Sequence, residues 1–376
     1  SLCAAQALSP TRLTIQLSIQ SNPNPAQSSD SIIISGRLMA GKSGFQNQKV
    51  EIRYSADQQT WINLSTVSTG SGGAFSLNWK PTLQGSFYLQ AYFAGTSKYA
   101  ALNSDPILQQ VMPTRFGGLL KAQGSSILDE SGNFVVLRGV NFYGYEFGLW
   151  GHTEADYQKI ASWGFNVVRL PIAWNFVEPS PGKYEVNYFS NYVDRDISWA
   201  KKYGLYVVLD MHQYGWSPYF TYYDDWHTAG VPLWSVSAYP NTSNGEAHAK
   251  ADFWNGLGPN GTVASDSNPS MQSRFTEMWK FVATRYANER TIAGFDVFNE
   301  PGVYSSDRHA SLLDVNTFAR QTLPDFYEKV IDGIRTVDSN HLCLWQPYQE
   351  SLYLWQTTRV VNRGNIVYSP HYPDYD

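Results

Sequence analysis

Cysteine is nearly absent from this chain: Cys3 and Cys343 are the two in 376 residues. Two cysteines at opposite ends give no disulfide framework, and Cys343, inside the apolar run Leu342-Cys343-Leu344-Trp345, reads as an inert core residue. Charge is scarce as well, at 16% of residues, and its balance is -5. A chain without net positive charge lacks the basic patch that nucleic-acid phosphates require, so no nucleic-acid partner is expected. No Gly-rich phosphate loop accompanies a strand, which removes the ground for a nucleotide, and no cofactor is expected. No apolar stretch approaches the ~20 residues that cross a bilayer, so no membrane span is expected. His212, Asp224, Asp225, His227 and His248 match no common ligand spacing, and no metal is expected.

What the chain does have is aromatic residues, 15% of the total, with 13 Trp and 25 Tyr. Some of these rings form core, where aromatics dominate burial. Others fall in polar loops, where a flat ring facing solvent suits the apolar face of a sugar. With 43% hydrophobic residues over this length, two domains with sizeable cores are expected.

The first domain is expected at residues 8–112. Leu13, Ile15, Leu17 and Ile19 alternate, as do Val50, Ile52 and Tyr54, and Phe75, Leu77 and Trp79. Short runs at Ile32–Ile34, Trp61–Leu64, Tyr88–Tyr92 and Ile107–Val111 complete about seven strands, with turn residues such as Gly70-Ser71-Gly72-Gly73 between them. That spacing indicates an all-β sandwich. The Cys-Trp-Cys signature of antibody domains is absent. Tyr54-Ser55-Ala56-Asp57 with Trp61, and Gly85-x-Phe87-x-Leu89-x-Ala91 with Gly95, resemble the immunoglobulin-like modules attached to secreted microbial enzymes. Such a module serves as spacer or stabiliser, or binds sugar.

After Pro113-Thr114-Arg115-Phe116-Gly117-Gly118 the period changes, and residues 116–376 form the second expected domain. Apolar runs are expected as strands near 135–140, 165–170, 205–210, 292–298, 342–346 and 365–369. Helical patterns lie at Glu154–Trp163, Tyr188–Tyr203, Met271–Ala287 and Val315–Arg335, where Pro324 marks a kink or a fresh start. Strands alternating with helices and apolar on both faces indicate parallel β/α units. The long stretch Gln213–Pro269 is too aromatic for disorder. It is expected to form either a wall of a sugar cleft or a packed aromatic subdomain.

Polar residues cap four of these strands. Arg169 closes the second, His212 the third, Asn299-Glu300-Pro301 the fourth and His371 the sixth. In a closed barrel they converge on one mouth. Leu137-Arg138-Gly139-Val140-Asn141, Asn166-Val167-Val168-Arg169-Leu170-Pro171, Leu209-Asp210-Met211-His212, Phe298-Asn299-Glu300-Pro301 and Tyr368-Ser369-Pro370-His371-Tyr372 occur in the order of the family 5 glycoside hydrolases, which residues 116–376 resemble. The resemblance implies a (β/α)8 TIM barrel and retaining cleavage of β-glycosidic bonds in a polysaccharide or oligosaccharide. It implies that Glu300 is the general acid/base and that Asn299 binds the hydroxyl beside the reacting carbon. Arg169 and His212 would bond the catalytic carboxylates or the sugar, and His371 would line the subsite at the break. The family's aromatic partner lies two positions after that histidine, where this chain has Pro373, so Tyr372 or Tyr375 would substitute.

The chemistry asks for the same residue types. A leaving oxygen needs a proton from a carboxylic acid of raised pKa, while a nearby Arg keeps a second carboxylate ionised. The leading expectation is an endo-β-1,4-glucanase. The alternatives are an endoglycoceramidase-like or mannan-directed hydrolase (Asp210-Met211-His212-Gln213 and Phe253-Trp254-Asn255 look endoglycoceramidase-like) and a non-catalytic glycan-binding protein. Secretion is expected, with Ala5-x-Ala7 as the remnant of a signal. Six strands are two short of a barrel, and the family nucleophile, a Glu ending strand seven, has no counterpart here; Asp374 and Asp376 lie in the wrong place. The expectation is therefore that a C-terminal fragment or continuation completes the barrel.

Overall fold

A computed structural model describes residues 14–27, 30–82, 85–112, 118–144, 151–223, 229–348 and 359–371. The chain forms two compact units, Ser1–Arg115 and Phe116–Asp376.

In the first unit the alternation of apolar residues builds two sheets. One is centred on Ile32–Ala40, paired antiparallel with Ala74–Trp79, Ile15–Leu17 and Gln20–Asn22. The other runs through Lys49–Ser55, Ile62–Ser68, Gly85–Phe93 and Ile107–Met112, with Ala26–Gln27 added in parallel at its edge. Ile32, Ile34, Leu38 and Phe75 from the first meet Val50, Ile52, Leu89, Ala91 and Val111 from the second in one core. That is a sandwich: alternate side chains of each strand turn inward and the intervening polar ones face out.

The second unit carries six parallel strands in sequential order: β1 (Gly139–Asn141), β2 (Val167–Ala173), β3 (Tyr206–His212), β4 (Ile292–Asp296), β5 (Leu342–Trp345) and β6 (Ile366–Tyr368). The connecting helices include α1 (Glu154–Ser162), α2 (Asp194–Lys202), α3 (Ser243–Trp254), α4 (Met271–Tyr286) and α5 (Leu323–Arg335). Pro324 sits in the first turn of α5, directly after a π-turn at Phe318–Thr322. Sequential order with helical crossovers is the pattern of a β/α barrel. Neither β1 nor β6 has a second strand partner among the described residues.

The expected strand at 135–140 is two elements. Phe134–Val135 pairs antiparallel with Ser126–Leu128, which pairs with Lys121–Gln123, and only Gly139–Asn141 joins the parallel sheet. An apolar run does not reveal where its backbone changes partners. Gly139 makes the join: a Cβ there would lie 1.7 Å from the Val167 carbonyl oxygen. Residues of the small sheet, Ala122, Ile127 and Val135, pack with Leu120 against Val167, Tyr206 and Leu342 at the starts of the strands. The opposite ends are left to carry the site.

Candidate active site

Adjacent strands put charge side by side. Asp210 of β3 and Asp296 of β4 are register partners, and both are fully buried. Two carboxylates this close need a cation, and Arg169 of β2 supplies it. Its Nε donates to Asp296 Oδ2 at 2.9 Å, and NH2 lies 2.8 Å from Asp296 Oδ2 and 2.8 Å from Asp210 Oδ1. The Asp210 oxygen is paired in charge but off the N–H line, since it has no aligned hydrogen bond. Burial pushes the Asp296 carboxyl up, Arg169 pulls it down and Asp210 pushes it up again, for a net rise. Burial opposes the charge on Arg169, yet the fields of Asp210 and Asp296 hold the guanidinium more firmly protonated than usual.

Arg169 also reaches the segment that follows β4, donating from NH2 to Asn299 Oδ1 at 3.0 Å. Asn299 is buried and donates from Nδ2 to the Gln213 carbonyl at 3.1 Å. Both ends of its amide are therefore engaged within the protein. His212 turns Nδ1 to Asp210 Oδ2 at 2.8 Å. His371 approaches Glu300 instead, with Nδ1 2.9 Å from Oε1. The structure thus brings Arg169, His212, Asn299, Glu300 and His371 together, but Arg169 does not close its strand as expected: it is the third residue of β2, which runs on to Ala173. Tyr372 lies outside the described residues.

Glu300 itself has φ 45°, the left-handed region that side chains with a Cβ seldom adopt. Two glutamines hold it there. Gln346, just past β5, accepts from the Glu300 N–H at 2.8 Å and donates to both Asp296 oxygens at 3.1 and 2.9 Å. Gln213, just past β3, donates to the Asn299 and Glu300 carbonyls at 3.0 and 3.1 Å. Such a conformation persists where its surroundings over-determine it, and these clusters belong to functional sites. Sequence reasoning passed over both glutamines, and Asp296. The available signal was a carboxylate inside an apolar run, which is expensive to bury without a partner.

The titration of Glu300 departs from the expectation of a raised pKa. Burial pushes its carboxyl up, but the hydrogen bond and charge of His371, then the charges of His212 and Arg169, outweigh it and leave it below the usual carboxylate range. A second carboxylate set beside it is the group that would reverse this, because like charges disfavour joint ionisation.

The aromatic stretch after β3 resolves mainly into packing. Trp216, Phe220, Phe253 and Trp254 are buried, and Trp254 lies 5.7 Å from Phe298 and 4.9 Å from Phe318, centroid to centroid. Tyr214 and Tyr223 remain exposed. Together with Glu300 they line a polar pocket of about 220 Å³. A larger apolar cavity of about 540 Å³ is walled by Val140, Val167, Val208, Leu344 and Val367 on the inner face of the sheet, with Arg169 at its edge. Among the described residues no group of three or more His, Cys, Asp or Glu is placed to hold a metal ion, and no helix is long and apolar enough to cross a membrane. Cys343 is buried, and burial pushes its thiol up to about 12.

The model of the cellulase family, glycosyl hydrolase family 5, matches residues 128–376. Endoglucanase C of Acetivibrio thermocellus is 32% identical over 163 residues, which is 43% of this chain and 36% of that protein. An endoglycoceramidase of Cyanea nozakii is 24% identical over 248 residues, 60% of this chain and 49% of that one. Among solved structures, endo-glycoceramidase II from Rhodococcus sp. in a cellobiose-like isofagomine complex superposes with a TM-score of 0.54 at 26% identity, covering 66% of this chain and 59% of the other. This chain thus spans about a third to a half of the curated relatives it matches.

Proposed function

The chain belongs to glycosyl hydrolase family 5, and from that premise we propose that it carries the acid/base half of a retaining β-glycosidase, acting first on β-1,4-glucan chains. The observation that carries this reading is Glu300, just past the end of β4. It is locked in a left-handed backbone by Gln213 and Gln346, with His371 2.9 Å from its carboxylate. In this reading Glu300 protonates the leaving oxygen as the glycosidic bond breaks, and a second glutamate attacks the anomeric carbon to form a glycosyl-enzyme. Glu300, now a carboxylate, takes a proton from water as the water oxygen bonds to the anomeric carbon and the second glutamate leaves as a carboxylate.

The other site residues act around that proton. Arg169 and His212 supply positive charge beside the carboxylates, and Arg169 orients Asn299 toward the hydroxyl next to the reacting carbon. His371 steers the Glu300 carboxyl at the point of cleavage, and Tyr372, next in sequence, is read as a substrate contact. The nucleophile belongs to further β/α units, brought by a continuation of the chain or by a second polypeptide. That β1 and β6 lack a second strand partner among the described residues, and the apolar cavity on the inner face, support that completion. The second glutamate would stand about 5–5.5 Å from Glu300, the separation that retention requires. Its charge would also raise the Glu300 pKa into a working range for an acid.

A second reading, cleavage of a glycan from ceramide, has support in the endoglycoceramidase relatives, which match more of the chain than Endoglucanase C does. The sandwich is read as an immunoglobulin-like spacer and the protein as secreted, in keeping with a polymeric substrate outside the cell. The experiment is Glu300→Gln in the whole protein, assayed on soluble cello-oligosaccharides. Hydrolysis is expected to fall on the order of 10²–10⁴-fold with the thermal melt unchanged. A folded variant keeping half of its activity would end the reading.

A further inference from the structure

The polar pocket beside Glu300 shares that carboxylate with the charged cluster but none of Arg169, His212, Asn299 or His371. An acid gives its proton to the leaving oxygen, so the space that meets only the acid lies on the leaving-group side. Its far wall is the loop that follows Glu300, and one face of α3 holds that loop. Trp254 Nε1 donates to the Gly302 carbonyl at 3.2 Å, and Lys250 Nζ to the Tyr304 carbonyl at 2.5 Å. The Glu246 carboxylate accepts from the Ser306 N–H at 3.0 Å and from its hydroxyl at 2.9 Å. Ser243 Oγ donates to Asp307 at 2.7 Å. Residues 243, 246, 250 and 254 fall on one stripe of the helix, and each turn meets about two residues of extended loop.

This register places a buried ammonium in the pocket wall. Lys250 is paired with the fully buried Glu246 at 2.9 Å and bonded to the Tyr304 carbonyl. An ammonium has three N–H donors, and beyond these two oxygens Nζ meets only the face of the Trp216 ring, 5.7 Å away, among the described residues, so one donor has no oxygen to bond. Arg308, another wall residue, sits at φ 60°. At about 220 Å³ the pocket admits one sugar ring and is smaller than the roughly 300–1,000 Å³ typical of drug-sized ligands. An alkyl chain entering it would strip water from Lys250 and Arg308 and return no hydrogen bond. A sugar returns several.

We propose that this pocket, walled by Lys250, Arg308 and Tyr304, is the leaving-group subsite and that it takes a hydroxylated sugar residue rather than a lipid chain. The proposal rests on the glycosidase reading above and chooses between its two substrate classes. The test uses the whole protein and three substrates with the same cellobiosyl group: cellotetraose, dodecyl β-cellobioside and p-nitrophenyl β-cellobioside. The expected result is a kcat/KM for cellotetraose ~100-fold or more above that for the dodecyl glycoside, because a hydrogen-bonding site rejects an analogue lacking the bonds. Equal or better cleavage of the dodecyl glycoside, with the nitrophenyl glycoside also cleaved, overturns the proposal and leaves the glycosidase reading standing. Failure to cleave any of the three removes both. A second arm uses the charge-balanced double variant Lys250→Met/Glu246→Gln, in which no buried charge is orphaned. The ratio of kcat/KM on cellotetraose to that on the nitrophenyl glycoside is expected to drop about 10-fold or more, with KM for cellotetraose raised. An unmoved ratio in a variant that melts like wild type overturns the proposal; if that variant does not fold, the wild-type comparison decides alone.

Discussion

Changing Arg169 to methionine keeps most of the side-chain stem and deletes the charge that sits between Asp210 and Asp296. Both carboxylates are fully buried, and Arg169 lies within 2.8 Å of each. Removing one partner of a buried ion network costs about 3–5 kcal/mol, since the remaining charge has neither water nor a counter-ion. The protein has one escape, which is to protonate Asp296. Wild type already holds Asp296 at about 6, so at pH 7 protonating it costs only about 1.4 kcal/mol more, for the roughly one unit that remains. That sets the pH-dependent part of the loss.

The same carboxyl fixes the direction of the pH dependence. Asp296 already has a folded pKa raised to about 6 with Arg169 present. A raised carboxyl means the folded state binds more protons than the unfolded chain, so stability falls as pH rises from the unfolded value and levels off above the folded one. In Arg169→Met the folded pKa moves higher still, and the decline continues past pH 6. The deficit relative to wild type is therefore expected to be largest near pH 7.5 and to shrink steadily toward pH 5. Urea unfolding of the whole protein, followed by tryptophan fluorescence across that range, measures it. Adding Asp296→Asn to the variant should restore a large part of the loss, as a double-mutant cycle would record. A variant within 1 kcal/mol (roughly the value of an exposed pair) of wild type at pH 7.5, or a deficit that does not shrink toward pH 5, would refute the reasoning.

Three further outcomes are expected. His371→Gln removes the hydrogen bond and the charge that lower the Glu300 pKa, so the basic limb of the kcat/KM profile should move to higher pH; a limb that stays or moves down contradicts the assignment. Gln346→Leu leaves the Glu300 N–H and both Asp296 oxygens short of a partner, and should cost about 1–3 kcal/mol with kcat falling more than KM changes, whereas an unshifted melt would show the clamp is idle. Deleting residues 1–112 should leave hydrolysis of a short soluble substrate in place, because the strand-end cluster lies wholly in Phe116–Asp376; a folded but inactive product would give the sandwich a part in the site.

Much of this architecture could be read from the sequence because the elements announce themselves locally. The runs ending in Arg169, His212 and Glu300 are apolar on both faces, which only a buried parallel strand requires, and Pro301 stops its strand by chemistry rather than context. Pro324 likewise marked a kink or a fresh start, and a π-turn at Phe318–Thr322 gives way to α5 beside it, at Leu323. What failed to show was anything that depends on register. Phe134–Val135 and Gly139–Asn141 form one continuous apolar stretch in sequence but belong to two sheets. The aromatic residues after β3 gave no sign of which rings would be buried, since Trp216 and Tyr223 look alike until α3 packs over one and leaves the other in solvent.

The same limit explains why the cluster was visible and its wiring was not. His212 ends β3 and Glu300 follows β4, and Arg169 lies within the neighbouring β2, so their convergence follows from topology. Asp210 and Asp296 become neighbours only through the pairing of β3 with β4, and that pairing is what makes Arg169 obligatory. Once Arg169 is committed to those two carboxylates and to Asn299, its geometry is fixed before any substrate arrives. Glu300 then stands at the rim of a positive field from Arg169, His212 and His371, which holds it ionised. The general acid of the proposed reading needs the opposite, and in that reading the balancing term is further negative charge nearby. The strained φ of Glu300 and the two glutamine clamps are thus intelligible as one device. They fix a carboxylate against a field that a second glutamate would balance, so that the proton is held loosely enough to be given and strongly enough to be present.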